Sequence, residues 1–327
     1  MNDTLTKDGI VAFLSSLAAE MRVAGPVRDG KVIEYREAPP ESFLFGDEIS
    51  YKSPKEFYFP QTEKLISFRG EEAILAGDPA PMAVFAARVC DLQALRVMRE
   101  VFLSGRYKDP FFERHMEKNL IIGMACVSKK PGCFCDLLGI DMKFSAFCDV
   151  MLEPAGCGNF KVTGLSEKGS SAFLKHSPAE RMECDNSRNA ETSKPALSLR
   201  KEASEARFFE LIDWEDALSA CQGCGMCTYI CPTCHCFEFK DVSERGATNR
   251  YRCWDSCMYP RFTLHASGHN PRATNAERYR QRVLHKYLYV MQNIGMAACT
   301  GCGRCVRSCP VGINIKTVVE ALMEAGA

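Results

Sequence analysis

Twelve residues, CQGCGMCTYICP at Cys221–Pro232, recur 78 positions later as CTGCGRCVRSCP at Cys299–Pro310, with the same cysteine spacing and the same closing proline. No other internal repeat is present. The spacing C-x2-C-x2-C lets a short looping backbone wrap three thiolates around one [4Fe–4S] cube, with its N–H groups turned toward the sulfides. The fourth thiolate has to come from elsewhere. In C-x2-C-x2-C-x3-C-P the last cysteine opens a new segment, turned by the proline, and serves the other cluster of a pair. Two copies therefore interlock: Cys221, Cys224, Cys227 and Cys309 around one cluster, Cys299, Cys302, Cys305 and Cys231 around the second. Zinc is the competing occupant, but tetrahedral zinc asks for two well-separated pairs rather than triplets. Gly223, Gly225, Gly301 and Gly303 lie between the ligands, where a side chain would obstruct the backbone and where positive φ is useful.

The remaining cysteines bear on the redox compartment. There are nineteen in 327 residues, an odd number, tightly clustered, and this suits ligand sets with a few buried thiols better than a disulfide framework. The start, MNDTLTKDGIVAFLSSLAAE, lacks a cationic segment followed by an apolar core, and no apolar run approaches the length of a membrane span. A soluble, cytoplasmic protein without a membrane span is expected. Lys plus Arg equals Asp plus Glu at 41 each, so no overall field draws the chain to nucleic acid or an anionic surface.

No cysteine precedes Cys90; seven fall from Cys90 to Cys184 and twelve from Cys221 to Cys309. This uneven placement divides the chain. Leu5, Ile10, Val11, Leu14 and Leu17 have helical spacing, and VRDGKVIEY places an Asp29-Gly30 turn between extended flanks. MAVFAARVCDLQALRVMREVFL reads as a buried strand feeding a helix, and NLIIGMACVSKKPGCFC as a second buried strand feeding a loop. Residues 165–205 read as a surface connection, with a boundary near 200. The expected fold is α+β: an N-terminal α/β domain over 1–200, then a mostly helical, two-cluster ferredoxin-like domain over 201–327.

Cys90 and Cys126 fall just past the carboxyl ends of the two buried strands, the edge where open α/β sheets bind cofactors, and Cys133 and Cys135 follow in the same loop. Spacing alone leaves these four open between a third cluster and core thiols. Cys234, Cys236, Cys253 and Cys257 read as small residues packed beside the clusters, with a further metal site as the alternative. Cys148, Cys157 and Cys184 have no partner at ligand spacing. Residues 245–286 carry nine Lys and Arg against Asp255 and Glu277. A solvated face explains such a run; equally, positive charge stabilises a reduced cluster, so Arg272, Arg282, His285 and Lys286 are candidates for tuning or docking. His269 reads as a hydrogen-bonding residue. No nucleotide-binding or hydrolytic motif is present.

ARVCDLQAL with CFC, CPTCHCF, WDSC, ASGHNPR, HKYLY and the closing CTGCGRCVRSCP make the chain, from about Phe85 to Ile315, similar to a known family. It resembles the iron–sulfur β subunits of cytoplasmic sulfhydrogenases and the A-type iron–sulfur subunits of anaerobic sulfite reductases, with related subunits of heterodisulfide reductase modules. The resemblance implies a relay between a flavin-binding subunit that handles NAD(P)H, and carries the FAD, and a catalytic subunit of hydrogenase, sulfite reductase or heterodisulfide reductase type. It also implies a third [4Fe–4S] cluster on Cys90, Cys126, Cys133 and Cys135, beside the two clusters of the repeats. A chain with several one-electron centres and no substrate site of its own reads as an electron-transfer subunit, not a complete enzyme. The contrasting reading is an iron–sulfur redox or oxygen sensor whose basic region binds a regulator.

Overall fold

The computed structural model describes residues 2–177, 209 and 212–324. Strand β1 (Asn2–Thr6) leads into helix α1 (Lys7–Leu17), whose first turn is capped by the Thr6 hydroxyl accepting from the Gly9 N–H. Leu5, expected in the helix, belongs to the strand; Phe13 joins Ile10, Leu14 and Leu17 on the buried face. The expected hairpin forms from β2 (Arg22–Asp29) and β3 (Val32–Glu37), and Gly30 takes the φ of +57° that its tight turn requires.

A second hairpin, β4 (Thr62–Arg69) and β5 (Glu72–Leu75), precedes β6 (Met82–Arg88) and α2 (Val89–Leu103). Then come α3 (Pro110–Lys118), β7 (Leu120–Met124), β8 (Val150–Gly156), β9 (Asn159–Gly164) and α4 (Glu167–His176). Seven strands form one sheet in the order β1-β9-β8-β7-β6-β2-β3. Its centre, β2, β6, β7 and β8, is parallel. Both faces of this centre are covered, which is why β6 and β7 read as unbroken apolar runs. Leu14, Phe85, Ile122 and Phe173 pack on the face beneath α1 and α4, and Leu92, Leu95, Phe112 and Met151 on the face beneath α2 and α3. Part of the expected surface connection is therefore helix α4, with Phe173 in the core; Ser166 caps it. The boundary near 200 and Cys184 lie outside the described residues.

The second part contains the short helices α5 (Trp214–Ala217) and α6 (Met226–Tyr229), the strands β10 (Phe237–Glu244) and β11 (Ala247–Trp254), and α7 (Asn275–Leu284). Thr274 and Glu277 close a reciprocal capping box at the start of α7. A wide π turn at His285–Tyr289 joins α7 to α8 (Val290–Ile294); α9 (Arg304–Arg307) and α10 (Ile315–Glu324) follow. The part is thus less purely helical than expected. Its hairpin pairs with the earlier one in a four-stranded sheet, β10-β11-β4-β5, built from strands on both sides of residue 200.

Arg252 of β11 fastens this sheet to the first part. Its guanidinium is 2% exposed, pairs with Glu63 of β4 at 2.5 Å and with Asp109 at the start of α3, and stacks 4.6 Å from the Phe59 ring centroid. Removing one partner of such a group strands the others in the interior. Arg252→Ala is expected to lower the unfolding free energy by about 3 kcal/mol, measured by denaturant unfolding under anaerobic conditions.

Candidate metal centres

At the end of β6 the strand bulges: Ala86 has φ +59°, and its carbonyl accepts a 2.8 Å hydrogen bond from the buried Tyr35 hydroxyl. The chain then turns through Arg88 into α2, placing Cys90 in the first helical turn. Cys126 leaves the end of the neighbouring parallel strand β7, and Arg88 Nη1 donates to Ala125 O at 3.2 Å, tying the two strand ends together. Cys133 and Cys135 come from the loop beyond. The four thiols line one cavity at the carboxyl edge of the sheet, the location anticipated from the strand pattern. Cys302, from the second repeat, lines it too.

The first repeat winds around the start of α6, with Gly225 as its left-handed cap. Cys221, Cys224 and Cys227 share a second cavity with Cys309 and Cys305. The structure thus brings the distant Cys309 to the first triplet, as the interlocking spacing requires. Cys231, Cys299, Cys302 and Cys305 form a third group, close enough to feel one another's charge, between the other two. Cys302 and Cys305 stand in the walls of the flanking cavities.

Backbone contact between the two parts makes this adjacency possible. The Phe134 N–H donates to Gly301 O at 2.8 Å, and Arg307 donates to Pro131 O at 2.8 Å and Cys302 O at 3.0 Å. Gly301, at φ +60°, has no room for a side chain: a Cβ there would meet Cys135 N at 2.5 Å. Gly303, at φ +71°, faces Gly132 in the same way.

The electrostatics test what these thiols can hold. Burial pushes Cys227 up to about 12 and Cys302 up to about 11, so as free groups they are neutral thiols. Yet buried cations stand among them. Lys286 Nζ lies 3.2 Å from Cys231 Sγ and 2.9 Å from both Thr233 Oγ1 and Ala298 O. Burial disfavours its charge, but the Cys231 and Cys234 thiolates outweigh that and hold its pKa above the ordinary lysine value. Arg282 Nη2 donates to Cys227 O at 2.9 Å, while its Nε and Nη1 are buried without a hydrogen-bond partner. Neither cation has a carboxylate partner among the described residues. Buried cations without carboxylates need another anion. A metal deprotonates the thiols that bind it, and thiolates around an iron–sulfide core carry net negative charge, satisfying both demands. A single metal ion does not fit: among the described residues no three His, Cys, Asp or Glu side chains converge closely enough to share one.

Of the four basic candidates, Arg282 and Lys286 are at the thiols. His285 stands further out, its ring 5.5 Å from that of His235, and burial pushes it down to about 4, leaving it neutral. Arg272 lies beside His285. His269 acts through its backbone, its carbonyl accepting from His265 N–H at 2.9 Å. Cys234 sits beside Cys231 and Cys236 beside Cys257, whereas Cys253 opposes Glu238 in the β10–β11 ladder, apart from them.

Three groups at the site lie outside the patterns that point to the thiols. Lys55 donates to Cys231 O at 2.9 Å and Cys234 O at 2.7 Å, with its ammonium 4.1 Å over the Trp254 ring. Arg304 and Asp91, each 1% exposed, form a two-pronged ion pair with contacts of 2.6 and 2.9 Å. Arg304 does carry a signal in the sequence: it occupies the position that Met226 takes in the first repeat.

A family model for the 4Fe–4S dicluster domain matches residues 220–313, which span both cysteine repeats and the buried cations between them. The chain carries a 4Fe–4S dicluster domain. Over 323 residues it is 28% identical to sulfhydrogenase 2 subunit beta of Pyrococcus furiosus, covering 95% of each chain. No solved structure matches it. The similarity to a sulfhydrogenase β subunit thus runs along nearly the whole chain, while the domain match excludes Cys90, Cys126, Cys133 and Cys135. Because the positive φ and the contact with Cys135 both forbid a Cβ, Gly301→Ala is expected to reduce the iron retained per chain. Iron analysis after anaerobic desalting measures the loss.

Proposed function

We propose that this chain is the electron-transfer subunit of an anaerobic, cytoplasmic oxidoreductase complex, with three [4Fe–4S] clusters in a row. The outer one is held by Cys221, Cys224, Cys227 and Cys309, the middle one by Cys299, Cys302, Cys305 and Cys231, and the inner one by Cys90, Cys126, Cys133 and Cys135. The observation that carries this reading is the sharing of walls: Cys305 belongs to the middle group and lines the outer cavity, and Cys302 belongs to the middle group and lines the inner one. Such clusters supply one-electron transfer. The chain's own residues set the spacing of the three sites through the 132–135 and 299–305 loops, exclude water from the middle group, and present both ends of the row to the surface. Cys224 is exposed at one end; at the other, Val127 is 69% exposed beside Cys126.

The partners are a flavin-binding subunit, which supplies FAD and handles NAD(P)H, and a catalytic subunit of hydrogenase, sulfite reductase or heterodisulfide reductase type. The whole-length similarity to a sulfhydrogenase β subunit favours the hydrogenase type. Among the described residues no helix is long and apolar enough to cross a membrane. The sensor reading loses support from the distribution of the basic run. Arg252, Arg278, Arg282 and Lys286 are buried, and Arg250 pairs with Asp241 at 2.7 Å, so the run does not form one free cationic face.

Protein purified without oxygen is expected to contain about twelve iron atoms and as many labile sulfides per chain, and Cys126→Ala about eight. In a reconstituted complex, Cys224→Ala is expected to abolish reduction of the terminal subunit while leaving flavin reduction by NAD(P)H intact. Transfer that survives this substitution would sink the relay.

A further inference from the structure

We propose that the chain's buried charges make the middle site the most easily reduced of the three, an electron trap set by Lys286 and Arg304, with the inner site held at a lower potential. The inference rests on the three-site reading. It concerns which charges the fold delivers to which group of thiols.

Around the middle group the cations gather. Lys286 donates directly to Cys231 Sγ. Arg282 is within the field of Cys305 as well as Cys227. Arg304 lies in the chain between Cys302 and Cys305, and Lys55 donates to the carbonyl of Cys231. The carboxylate that answers Arg304 is Asp91, and its position matters because it directly follows Cys90, a residue of the inner group. The Asp91–Arg304 pair, though neutral as a whole, is therefore a fixed dipole with its negative end at the inner site and its positive end at the middle one. Both residues are sealed from water, where a charge acts over a short distance with little screening.

The inner site is otherwise balanced. Arg88 approaches it from β6, with Nη1 on Ala125 O. Against this cation stand Asp47, which accepts from the N–H groups of Val127 and Ser128 at 2.8 and 2.9 Å, and Asp136, the residue after Cys135. Lys129 pairs with Asp136 at 2.6 Å, and Lys130 lies 3.9 Å from Asp47. Both lysines are partly exposed, so water weakens their effect. The outer site has Arg282 on its buried side and open solvent at Cys224. Adding an electron makes a cluster more negative, so unopposed buried cations raise its potential and nearby carboxylates lower it. The first electron to enter from either end is thereby drawn to the middle, and passage from the inner to the middle site is downhill.

An EPR-monitored redox titration of the full chain, purified without oxygen, tests this. Cys126→Ser identifies the signals of the inner site by their loss. Lys286→Met keeps the methylene stem and removes the charge; Lys286→Arg keeps the charge. With iron content unchanged, Lys286→Met is expected to lower the midpoint of the first signal to appear on reduction, and Lys286→Arg to leave it nearly in place. Asp91→Asn is expected to raise the midpoint of the inner site. A first midpoint unmoved by Lys286→Met at full iron content, or first reduction at the inner site in the unaltered protein, would overturn the proposal. Iron of about eight atoms per chain would remove the inner site and the three-site reading; a lowered first midpoint in Lys286→Met would then still uphold the trap at the middle group.

Discussion

Lys286 and Arg282 are cations buried among thiols, and no carboxylate among the described residues answers them. Left alone, this arrangement is unfavourable twice over: the cations lack anions, and burial keeps Cys227 and Cys302 neutral. Anionic iron–thiolate centres remove both penalties together. Much of the second part depends on that exchange. The helices that follow the glycines of each repeat, α6 and α9, have four residues apiece, too short to persist without packing. Cys221, Cys227, Cys299 and Cys305 pack against the core formed by Trp214, Tyr279, Leu284 and Tyr287. Folding of this part and filling of its sites are therefore coupled, as in other small metal-bound domains.

The helix that passes between the two repeats is shaped for the same purpose. From Asn275 it is regular until the π turn at His285–Tyr289, where one wider loop of backbone shifts the register. Lys286, Tyr287 and Leu288 lie on that turn and are all buried: Lys286 reaches Cys231, and Tyr287 stands beside Cys299. A helix that continued unchanged would carry these side chains round to other directions.

The two parts of the chain are joined at the points where the thiol groups meet. Arg304, inside the second repeat, pairs with Asp91 at the start of α2 and also donates to Ser50 O at 2.9 Å. The loop carrying Cys133 and Cys135 lies on the loop carrying Cys299 and Cys302, glycine against backbone. At a distance from the thiols, β4 and β11 pair across the same division, locked by Arg252. The spacing between inner and middle groups is thus set by residues one or two positions from the thiols themselves, leaving little freedom for it to vary.

The local part of this design was legible in the amino-acid sequence. A triplet of cysteines with intervening glycines and a following proline is a statement about a few consecutive residues, so both repeats and their exchange of fourth thiols could be read directly. The buried strands ending at Cys90 and Cys126 were legible for a similar reason, because β6 and β7 are covered on both faces and show as continuous apolar runs. The sheet formed by β10, β11, β4 and β5 was not. Every side chain of β10 after Phe237 is exposed, so its pattern does not announce a core, and its partner sheet strand β4 lies far back in the chain. Helix α4 hides in a polar segment because Gly169 and Phe173 alone are buried in it. Tertiary structure also decided where the charges go. A Lys in PKEF, an Asp after Cys90 and an Arg at the repeat position of Met226 have no local reason to meet; only the folded chain brings Lys55 and Arg304 to the middle thiols and leaves Asp91 beside the inner ones. Ligand spacing is covalent and short-range, whereas the field at each site sums over residues that the fold alone makes neighbours.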